Sequence, residues 1–223
     1  MAKRDLLIRQ VHIIDYGASN IRSVINAVRY LGFEPTVIDN GSDLENTEHA
    51  TPLILPGVGR FGPAMKALDE RDFRTILLDR VKYLHTPILG ICLGFQMLML
   101  SSSESPGIPG LGLLPIEVIN LSQCGWDGPI PRVGFDSIRL PDGPSVPPVL
   151  GSQLRSMADV YFCHSFGIPA ESSSVTWTTG SDGTIGAVVE SGNIFGTQFH
   201  PEISQQTGLV MLNQFLEHAT QPQ

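Results

Sequence analysis

The sequence predicts an α/β fold whose central sheet is mainly parallel, is flanked by helices and gains antiparallel strands in the C-terminal half. In the first half, short apolar segments alternate with segments of helical periodicity, which is typical of a parallel sheet with helices on both faces. In the second half, strand-like segments follow one another, and two of them flank Ser191, Gly192 and Asn193, which suit a hairpin turn. A chain of 223 residues can form one sizeable core. We therefore predict a single domain over residues 1–223, in which the later strands extend the first sheet.

The first half contains four predicted strands and three predicted helices. Apolar residues recur at helical spacing through residues 21–31, with Asn20 as the expected N-cap and Gly32 as the end of the helix. A second helical stretch at residues 64–83 has a break near Asp72, and a third helix starts at residues 95–100. The strands are predicted at residues 11–15, 35–39, 53–55 and 87–91.

The second half contains six short strand candidates and one closing helix. The helix is predicted at residues 209–218 from its periodicity, and the proline-rich segment 141–148 is expected to be a loop. The strands are predicted at residues 116–120, 133–140, 160–164, 175–179, 186–190 and 194–199.

Composition and charge narrow the range of partners and compartments. The 22 acidic and 14 basic residues give a net charge of −8, which disfavours nucleic acid or an acidic membrane surface as the main partner. The N-terminus has no signal-peptide pattern, and the most apolar run, residues 87–100, is too short to span a bilayer. Cys92, Cys124 and Cys163 form no metal-type spacing, so we expect neither a disulfide framework nor a zinc site. The sequence suggests no metal or organic cofactor. A reducing cytoplasm is the simplest compartment.

The segment GICLG, residues 90–94, places Cys92 between two glycines after a predicted strand and before a predicted helix. A nucleophile on such a turn lies at a helix N-terminus, where the dipole favours a thiolate. The glycines relieve crowding in a strained turn. The other interpretation is a small buried residue, which is the usual role of a free cysteine. The two interpretations are about equally supported at this point.

A thiol nucleophile needs a base that is oriented by a third group. Of six histidines, two remain as candidates, His164 in YFCHSF and His200. His200 is placed best, because it follows an apolar strand and precedes Pro201. Glu202 is close enough in sequence to accept the imidazole N–H and hold its tautomer. The other interpretation of this HPE segment is a turn with an incidental acid.

Acyl transfer also requires hydrogen-bond donors for an oxyanion. The backbone N–H of Leu93, directly after the thiol, is the natural first donor. A second donor is expected from the PGVG turn, residues 56–59, which follows a neighbouring strand. This segment is equally compatible with an ordinary turn.

Together these segments resemble the class I, triad-type glutamine amidotransferases, and within them the glutaminase subunits of imidazole glycerol phosphate synthase. The match runs in order from about Ile13 to Leu209, nearly the whole chain. It implies the flavodoxin-like sheet architecture of that class. The matching segments are IIDYGASNIRSV, LILPGVGRFGPAM, PILGICLGFQMLM, GLGLLPIEV, YFCHSF and NIFGTQFHPEISQQTGL.

The resemblance implies a role for each matching residue. Cys92 would attack the side-chain amide of glutamine, His200 would act as base and then acid, and Glu202 would orient His200. Gln96 would hold the amino-acid end of the substrate together with the main chain at two further residues. The two residues that contribute this main chain are Ser165 and Phe166. Gly57 and Gly59 would line the pocket, and the backbone N–H groups of Val58 and Leu93 would donate to the oxyanion.

The resemblance also implies a partner. Ammonia would pass to a separate (β/α)₈ cyclase subunit in a heterodimer that makes imidazole glycerol phosphate, and glutamine hydrolysis would be weak without that partner. The chain departs from the family pattern at PRVGFD, residues 131–136, where PHMGWN is usual, at Ile203, where lysine is usual, and at Ser19, where glycine is common. By the resemblance, the first two departures lie in regions that would face the cyclase.

Three alternatives follow from these departures and from the motifs. The first is a paralogous glutaminase that feeds another synthase, for example in surface-sugar amination. The second is an inactive regulatory subunit, against which the intact Cys92, His200 and Glu202 argue. The third is a stand-alone cysteine hydrolase, against which the length of the match argues.

Overall fold

The computed structural model describes residues 9–17, 20–140, 149–155, 157–180 and 182–221. The proline-rich segment 141–148 and the departure at Ser19 lie outside these described residues. No helix of the described part of the chain is long and apolar enough to cross a bilayer. Within the same ranges, no cluster of three or more His, Cys, Asp or Glu side chains is arranged to hold a metal ion.

The first half follows the predicted alternation of strands and helices. Helix α1 begins directly after Asn20, although the Asn20 side chain caps no backbone N–H and donates to Ser23 Oγ instead. Asp72, with φ 59°, separates α3 from α4 at the predicted break. The elements are β1 Gln10–Ile14, α1 Ile21–Tyr30, β2 Glu34–Ile38, α2 Gly41–Glu45, β3 Leu53–Gly57, α3 Phe61–Glu70, α4 Phe73–Lys82, β4 Ile88–Cys92, α5 Leu93–Met97 and β5 Met99–Ser102.

The prediction that a helix extends through residues 95–100 is wrong. Helix α5 ends at Met97 and a strand begins at Met99. The reason is that the carbonyls of Met97 and Leu98 accept backbone hydrogen bonds from Leu111 and Leu113, so a returning segment takes the carbonyls that a longer helix needs.

The second half is mostly antiparallel, as predicted, and ends in a long helix. The elements are β6 Leu114–Asn120, β7 Arg132–Arg139, β8 Met157–His164, β9 Phe166–Pro169, β10 Val175–Thr179, β11 Ile185–Ser191, β12 Ile194–Thr197 and α6 Gln205–Ala219. Two short 3₁₀ helices connect these strands and the closing helix, Leu121–Cys124 after β6 and Pro201–Ile203 before α6.

The strands form one connected sheet in the order β2-β1-β3-β4-β12-β11-β10-β7-β8, with β5, β6 and β9 attached off this path. The pairs from β2 to β12 are parallel, whereas those from β12 to β8 are antiparallel. Strand β12 is therefore the junction between the two parts. It pairs in parallel with β4, with Thr197 beside Ile91, and carries the chain from the hairpin towards Cys92.

Apolar side chains cover both faces of the parallel part. One core cluster joins the sheet to α1 and α6, and includes Ile13, Val28 and Phe215. The other joins it to α3 and α4, and includes Ile14 and Phe73. Neighbouring Ile13 and Ile14 point to opposite faces, as expected for a strand buried on both sides. Burial on both faces fixes the strand ends that carry the candidate site.

Candidate active site

Cys92 is the last residue of β4, and α5 begins at the next residue. Its φ of 53° is a strained value for a residue other than glycine. A methyl group on Gly94 would overlap the carbonyl oxygen of Leu55, and one on Gly90 would lie 2.7 Å from the Phe95 Cα. The two glycines therefore allow α5 to start directly against the backbone of β3. The predicted strand–thiol–helix turn is present in the structure.

The side chain of Cys92 is 5% exposed and has neighbours of two kinds. Its Sγ lies 3.8 Å from the carbonyl oxygen of Cys163, which accepts from a thiol. The Nε2 of Gln198 lies 3.9 Å from the same sulfur and donates to it. A buried sulfur that lies between an acceptor and a donor is more constrained than a cysteine that only fills space.

His200 and Glu202 form a buried pair. His200 Nδ1 lies 2.9 Å from Glu202 Oε1, and the two side chains are 8% and 2% exposed. The backbone N–H of His200 donates to the Tyr161 carbonyl on β8 at 3.0 Å, and Ser204 Oγ donates to the His200 carbonyl at 2.6 Å. Both contacts fix the turn that carries the imidazole.

The electrostatics of His200 reflect its two partners. Burial lowers the pKa of His200, but hydrogen bonds to Cys92 and Glu202 and the charges of these two groups outweigh burial and raise the pKa well above its ordinary range. Because Nδ1 faces Glu202, Nε2 is the ring nitrogen that faces the thiol. The arrangement favours the charged imidazolium form of His200.

A cavity of about 270 Å³ opens over Cys92. Eight of the residues that line it were predicted from the sequence, and four were not. The predicted residues that line it are Val58, Gly59, Cys92, Leu93, Gln96, Ser165, Phe166 and His200, and the unexpected ones are Glu104, Pro131, Cys163 and His164. Glu202 lies behind His200, as expected for a group that orients it.

Gly57, the other glycine that the resemblance assigns to the pocket, is not among the residues that line this cavity. A methyl group at Gly57 would lie 2.5 Å from the hydroxyl of Tyr16 and 2.6 Å from the backbone N of Gly94. Gly57 is therefore needed for the close approach of β3 to the turn at Cys92. Gly59, with φ 99°, has open space around its Cα and does line the cavity.

Gln96 is positioned by two hydrogen bonds. Its Nε2 donates to the Phe166 carbonyl at 2.8 Å and to Gln198 Oε1 at 3.0 Å. Both amide hydrogens are used, so the amide oxygen of Gln96 is left to face the cavity. This accounts for a polar side chain, 4% exposed, in an apolar helix.

Sequence reasoning missed Glu104, and it considered His164 only as the second candidate for the base. Glu104 lies in a Ser-rich loop without a recognisable motif, and its Oε2 accepts from the backbone N of Phe61 at 2.7 Å. His164 Nδ1 lies 2.8 Å from the Phe166 carbonyl, so Nδ1 carries the proton. Burial, together with Arg132 and His200, lowers the pKa of His164 to about 4 despite that hydrogen bond. His164 is thus a neutral histidine beside the cavity.

The PRVGFD segment forms the start of β7. The guanidinium of Arg132 is buried over the rings of Phe162 and Trp126, at 3.8 and 4.5 Å from their centroids, and pairs with Asp136 at 2.6 Å. Phe135 points outward and is 51% exposed. The departures at Arg132 and Asp136 are therefore matched to each other, whereas that at Phe135 changes the surface.

A thiol on a strand–helix turn, facing a histidine that is bonded to a carboxylate, is the arrangement of enzymes that transfer acyl groups through a cysteine. The glutamine amidotransferase class-I family profile matches residues 12–219. A solved glutamine amidotransferase shares the fold with a TM-score of 0.72 at 20% identity, covering 94% of this chain and 98% of that one. The structure of PurLQS from Thermotoga maritima matches with a TM-score of 0.68 at 23% identity, with the same coverage.

Closer relatives specify the family further. Imidazole glycerol phosphate synthase subunit HisH 2 of Nitrobacter winogradskyi is 38% identical, and subunit HisH of Methanothermobacter thermautotrophicus is 39% identical; each match covers 93% of this chain and 98% of the relative. Imidazole glycerol phosphate synthase hisHF of Emericella nidulans is 35% identical over 94% of this chain and 38% of its own length. The chain belongs to the class-I glutamine amidotransferases and, within them, to the HisH family.

Proposed function

We propose that this chain is the glutaminase subunit of an imidazole glycerol phosphate synthase of histidine biosynthesis. It hydrolyses glutamine to glutamate and ammonia and passes the ammonia to a (β/α)₈ cyclase subunit. The observation that carries the proposal is the buried His200–Glu202 pair, which faces Cys92 in the cavity. The names of the relatives favour this pathway over a paralogue that feeds surface-sugar amination.

In the first half-reaction, the Cys92 thiolate attacks the amide carbon of glutamine, and the carbonyl electron pair moves onto oxygen. The backbone N–H groups of Leu93 and Val58 are our candidates for stabilising this oxyanion. The intermediate collapses as His200 Nε2 gives its proton to the leaving nitrogen, so that ammonia departs and a thioester remains. Glu202 holds the imidazole in the orientation that this transfer needs.

In the second half-reaction, neutral His200 takes a proton from water, and the resulting hydroxide attacks the thioester carbon. Collapse of this intermediate breaks the carbon–sulfur bond, releases glutamate and restores the thiolate beside the imidazolium. No metal or organic cofactor takes part in these steps.

We assign the amino-acid end of glutamine to the opposite side of the cavity. The amide oxygen of Gln96 and the carboxylate of Glu104 both suit the substrate's ammonium group, and the main chain at Ser165 and Phe166 provides further polar contacts. Glu104 already pairs with the Phe61 backbone N–H at 2.7 Å and with Arg60 Nε at 3.6 Å, so the substrate's ammonium group would share this carboxylate with them, whereas the Gln96 amide oxygen faces the cavity.

We propose that the cyclase binds beside the cavity, on a docking face defined by Val133, Phe135, Tyr161, Cys163 and Ile203. Val133 and Phe135 on β7 lie opposite Cys163 and Tyr161 on β8, and Val133, Phe135 and Ile203 are 60%, 51% and 41% exposed. Clustered apolar side chains on a surface favour a protein interface. Cys163 also lines the cavity, so a partner on this face would lie close to the site where ammonia is released.

Two further parts of the proposal concern the whole chain. Residues 1–223 act as one domain, because the candidate site draws residues from both parts of one connected sheet. The cytoplasm is the proposed compartment, since Cys92, Cys124 and Cys163 are free thiols and a reducing environment preserves them.

The test is glutamate release from glutamine, measured with and without the cyclase. Wild type with the cyclase is expected to be active, and Cys92→Ala is expected to lose activity by at least about 10³-fold. Cys124→Ala is the matched control, because it removes a buried thiol that does not line the cavity, and it is expected to stay active. Glutamate production by Cys92→Ala would contradict the assignment of the nucleophile. Full activity of the wild type without the cyclase would contradict dependence on a partner.

A further inference from the structure

Gln198 lies between the end of β12 and His200, is completely buried and has no part in the steps described above. Its amide orientation follows from its neighbours. The Phe166 carbonyl can only accept, so the Gln96 atom at 2.8 Å is the amide nitrogen. The second hydrogen of that nitrogen points to Gln198 at 3.0 Å, which must present its oxygen. The amide nitrogen of Gln198 is therefore the atom that faces Cys92.

The strand register explains why Gln198 is beside the thiol. Thr197 pairs with Ile91 across the parallel β12–β4 pair, so the next residue on each strand, Gln198 and Cys92, come together at the carboxyl end of the sheet. At 3.9 Å, the Gln198 Nε2 to Cys92 Sγ distance suits an N–H donor to sulfur. Gln96, which is assigned to bind the amino-acid end of the substrate, is thus connected to Cys92 Sγ through the buried side-chain amide of Gln198.

The two protonation states of Cys92 use different neighbours. A thiol donates its hydrogen to the Cys163 carbonyl at 3.8 Å. A thiolate has no hydrogen to donate and needs donors, which Gln198 and the His200 imidazolium supply. A hydrogen bond to the charged form of a group favours that form. Hydrogen bonds in a chain of amides also polarise one another.

We propose that Gln198 is a positioning residue that stabilises the Cys92 thiolate and transmits the effect of Gln96 to the sulfur. The proposal rests on the proposed function for the importance of the thiolate, but it makes a claim about the reactivity of Cys92 that needs neither glutamine nor the cyclase. Gln96 thereby has two tasks, to hold substrate and to orient the amide that faces the nucleophile.

The test is the pH dependence of alkylation by iodoacetamide, with the rate resolved for each cysteine by mass spectrometry. Gln198→Glu keeps an oxygen for Gln96 but replaces the donor with a negative charge, which is expected to raise the midpoint pH for Cys92 by about one unit or more. Gln198→Met removes the donor without adding charge and is expected to raise it less. If both variants keep the wild-type midpoint, the proposal is wrong.

The other two cysteines are internal controls in the same samples. Cys163 is exposed and outside the amide network, so its midpoint is expected to stay constant. Cys124 is buried, so its rapid labelling would show that a variant has unfolded rather than lost one hydrogen bond. Because the assay reports on Cys92 directly, its result is independent of whether glutamine is the substrate.

The link through Gln96 is tested by a double-mutant cycle. Gln96→Met is expected to raise the Cys92 midpoint in the wild-type background and to leave it unchanged in the Gln198→Met background, because the connection is already broken there. If the two shifts in the Cys92 midpoint pH add in the double variant, the proposal that Gln96 acts on Cys92 through Gln198 is wrong. In the glutaminase assay, Gln198→Met is expected to lower kcat by about tenfold or more while KM stays within about threefold.

Discussion

The parallel and antiparallel parts of the sheet bring their residues to the cavity by different means. In the parallel part, one local turn delivers Cys92, because β4 ends there and α5 starts at Leu93. In the antiparallel part, His200 reaches the thiol only because β12 pairs with β4 on one side and with β11 on the other. The nucleophile is therefore encoded in a short segment, whereas the base depends on strand pairing between distant parts of the chain.

The difference predicts unequal tolerance of substitution in the two regions. Gly94→Ala places a methyl group against the Leu55 carbonyl and is expected to lower the free energy of unfolding by about 3 kcal/mol. Gly192→Ala in the β11–β12 hairpin meets nothing within 4 Å, so its cost is the left-handed conformation at φ 58°, about 1 kcal/mol. Denaturant unfolding measures both values.

Glutaminase activity of the same two variants is a second measurement that distinguishes the turn from the hairpin. Activity is expected to be lost in Gly94→Ala, because α5 can no longer start against β3, and retained in Gly192→Ala. If the hairpin variant is as damaging as the variant at the turn, the local turn is no more constrained than the distant strand pairing, and the comparison fails.

The same comparison explains what the sequence predicts well. The four parallel strands, the break at Asp72 and the turn at Cys92 depend on local chemistry, that is, on apolar runs, glycines and helical spacing. His200 and Glu202 were found because a histidine after an apolar strand, followed by an acid, is itself a local pattern. Their pairing at 2.9 Å agrees with it.

What sequence reasoning missed depends on contacts between distant residues. The five-residue length of α5 is set by carbonyls that a later segment occupies. Glu104 enters the cavity from a segment without periodicity or motif. His164 lies in the YFCHSF segment, but its contact with the Phe166 carbonyl follows only from the folded turn after β8. Gln198 reads as an ordinary residue near the end of a strand, and its position against Cys92 follows only from the β12–β4 register.

A second prediction compares one buried histidine from each part. Burial, then the charge of Arg80, lowers the pKa of His12 on β1 to about 4, and the pKa of His164 on β8 is also about 4. Since an unfolded histidine titrates near 6.5, the unfolded chain binds protons that the folded chain does not between pH 6.5 and 4. The contribution of these two histidines to stability is therefore complete above pH 6.5 and falls as the pH drops, by at most about 1.4 kcal/mol per pH unit for each group.

Substitution separates the two histidines. His12→Gln and His164→Gln are each expected to flatten the fall in unfolding free energy between pH 6.5 and 4, measured by denaturant unfolding at a series of pH values. Only His164→Gln is expected to change glutaminase kinetics, because His164 lines the cavity whereas His12 is buried in the first strand. An unchanged pH slope in both variants would contradict the assignment of acid sensitivity to these residues.

The smallest expected effect concerns the outer surface of the antiparallel part, where Ile203 adjoins the turn of His200. Ile203→Ser is expected to change the free energy of unfolding by less than about 0.5 kcal/mol but to weaken binding to the cyclase by about tenfold, since burying a side chain of this size contributes about 1.5 kcal/mol. Because none of the five side chains that define the docking face is charged, the Kd of the wild type is expected to change little with salt. Leu84→Ser is the matched control, since Leu84 is 48% exposed and precedes the amino end of β4, whereas the cavity lies at the carboxyl end of this strand. Equal loss of binding in the two variants, or a steep salt dependence in the wild type, would mean that the partner is recognised elsewhere or by charge.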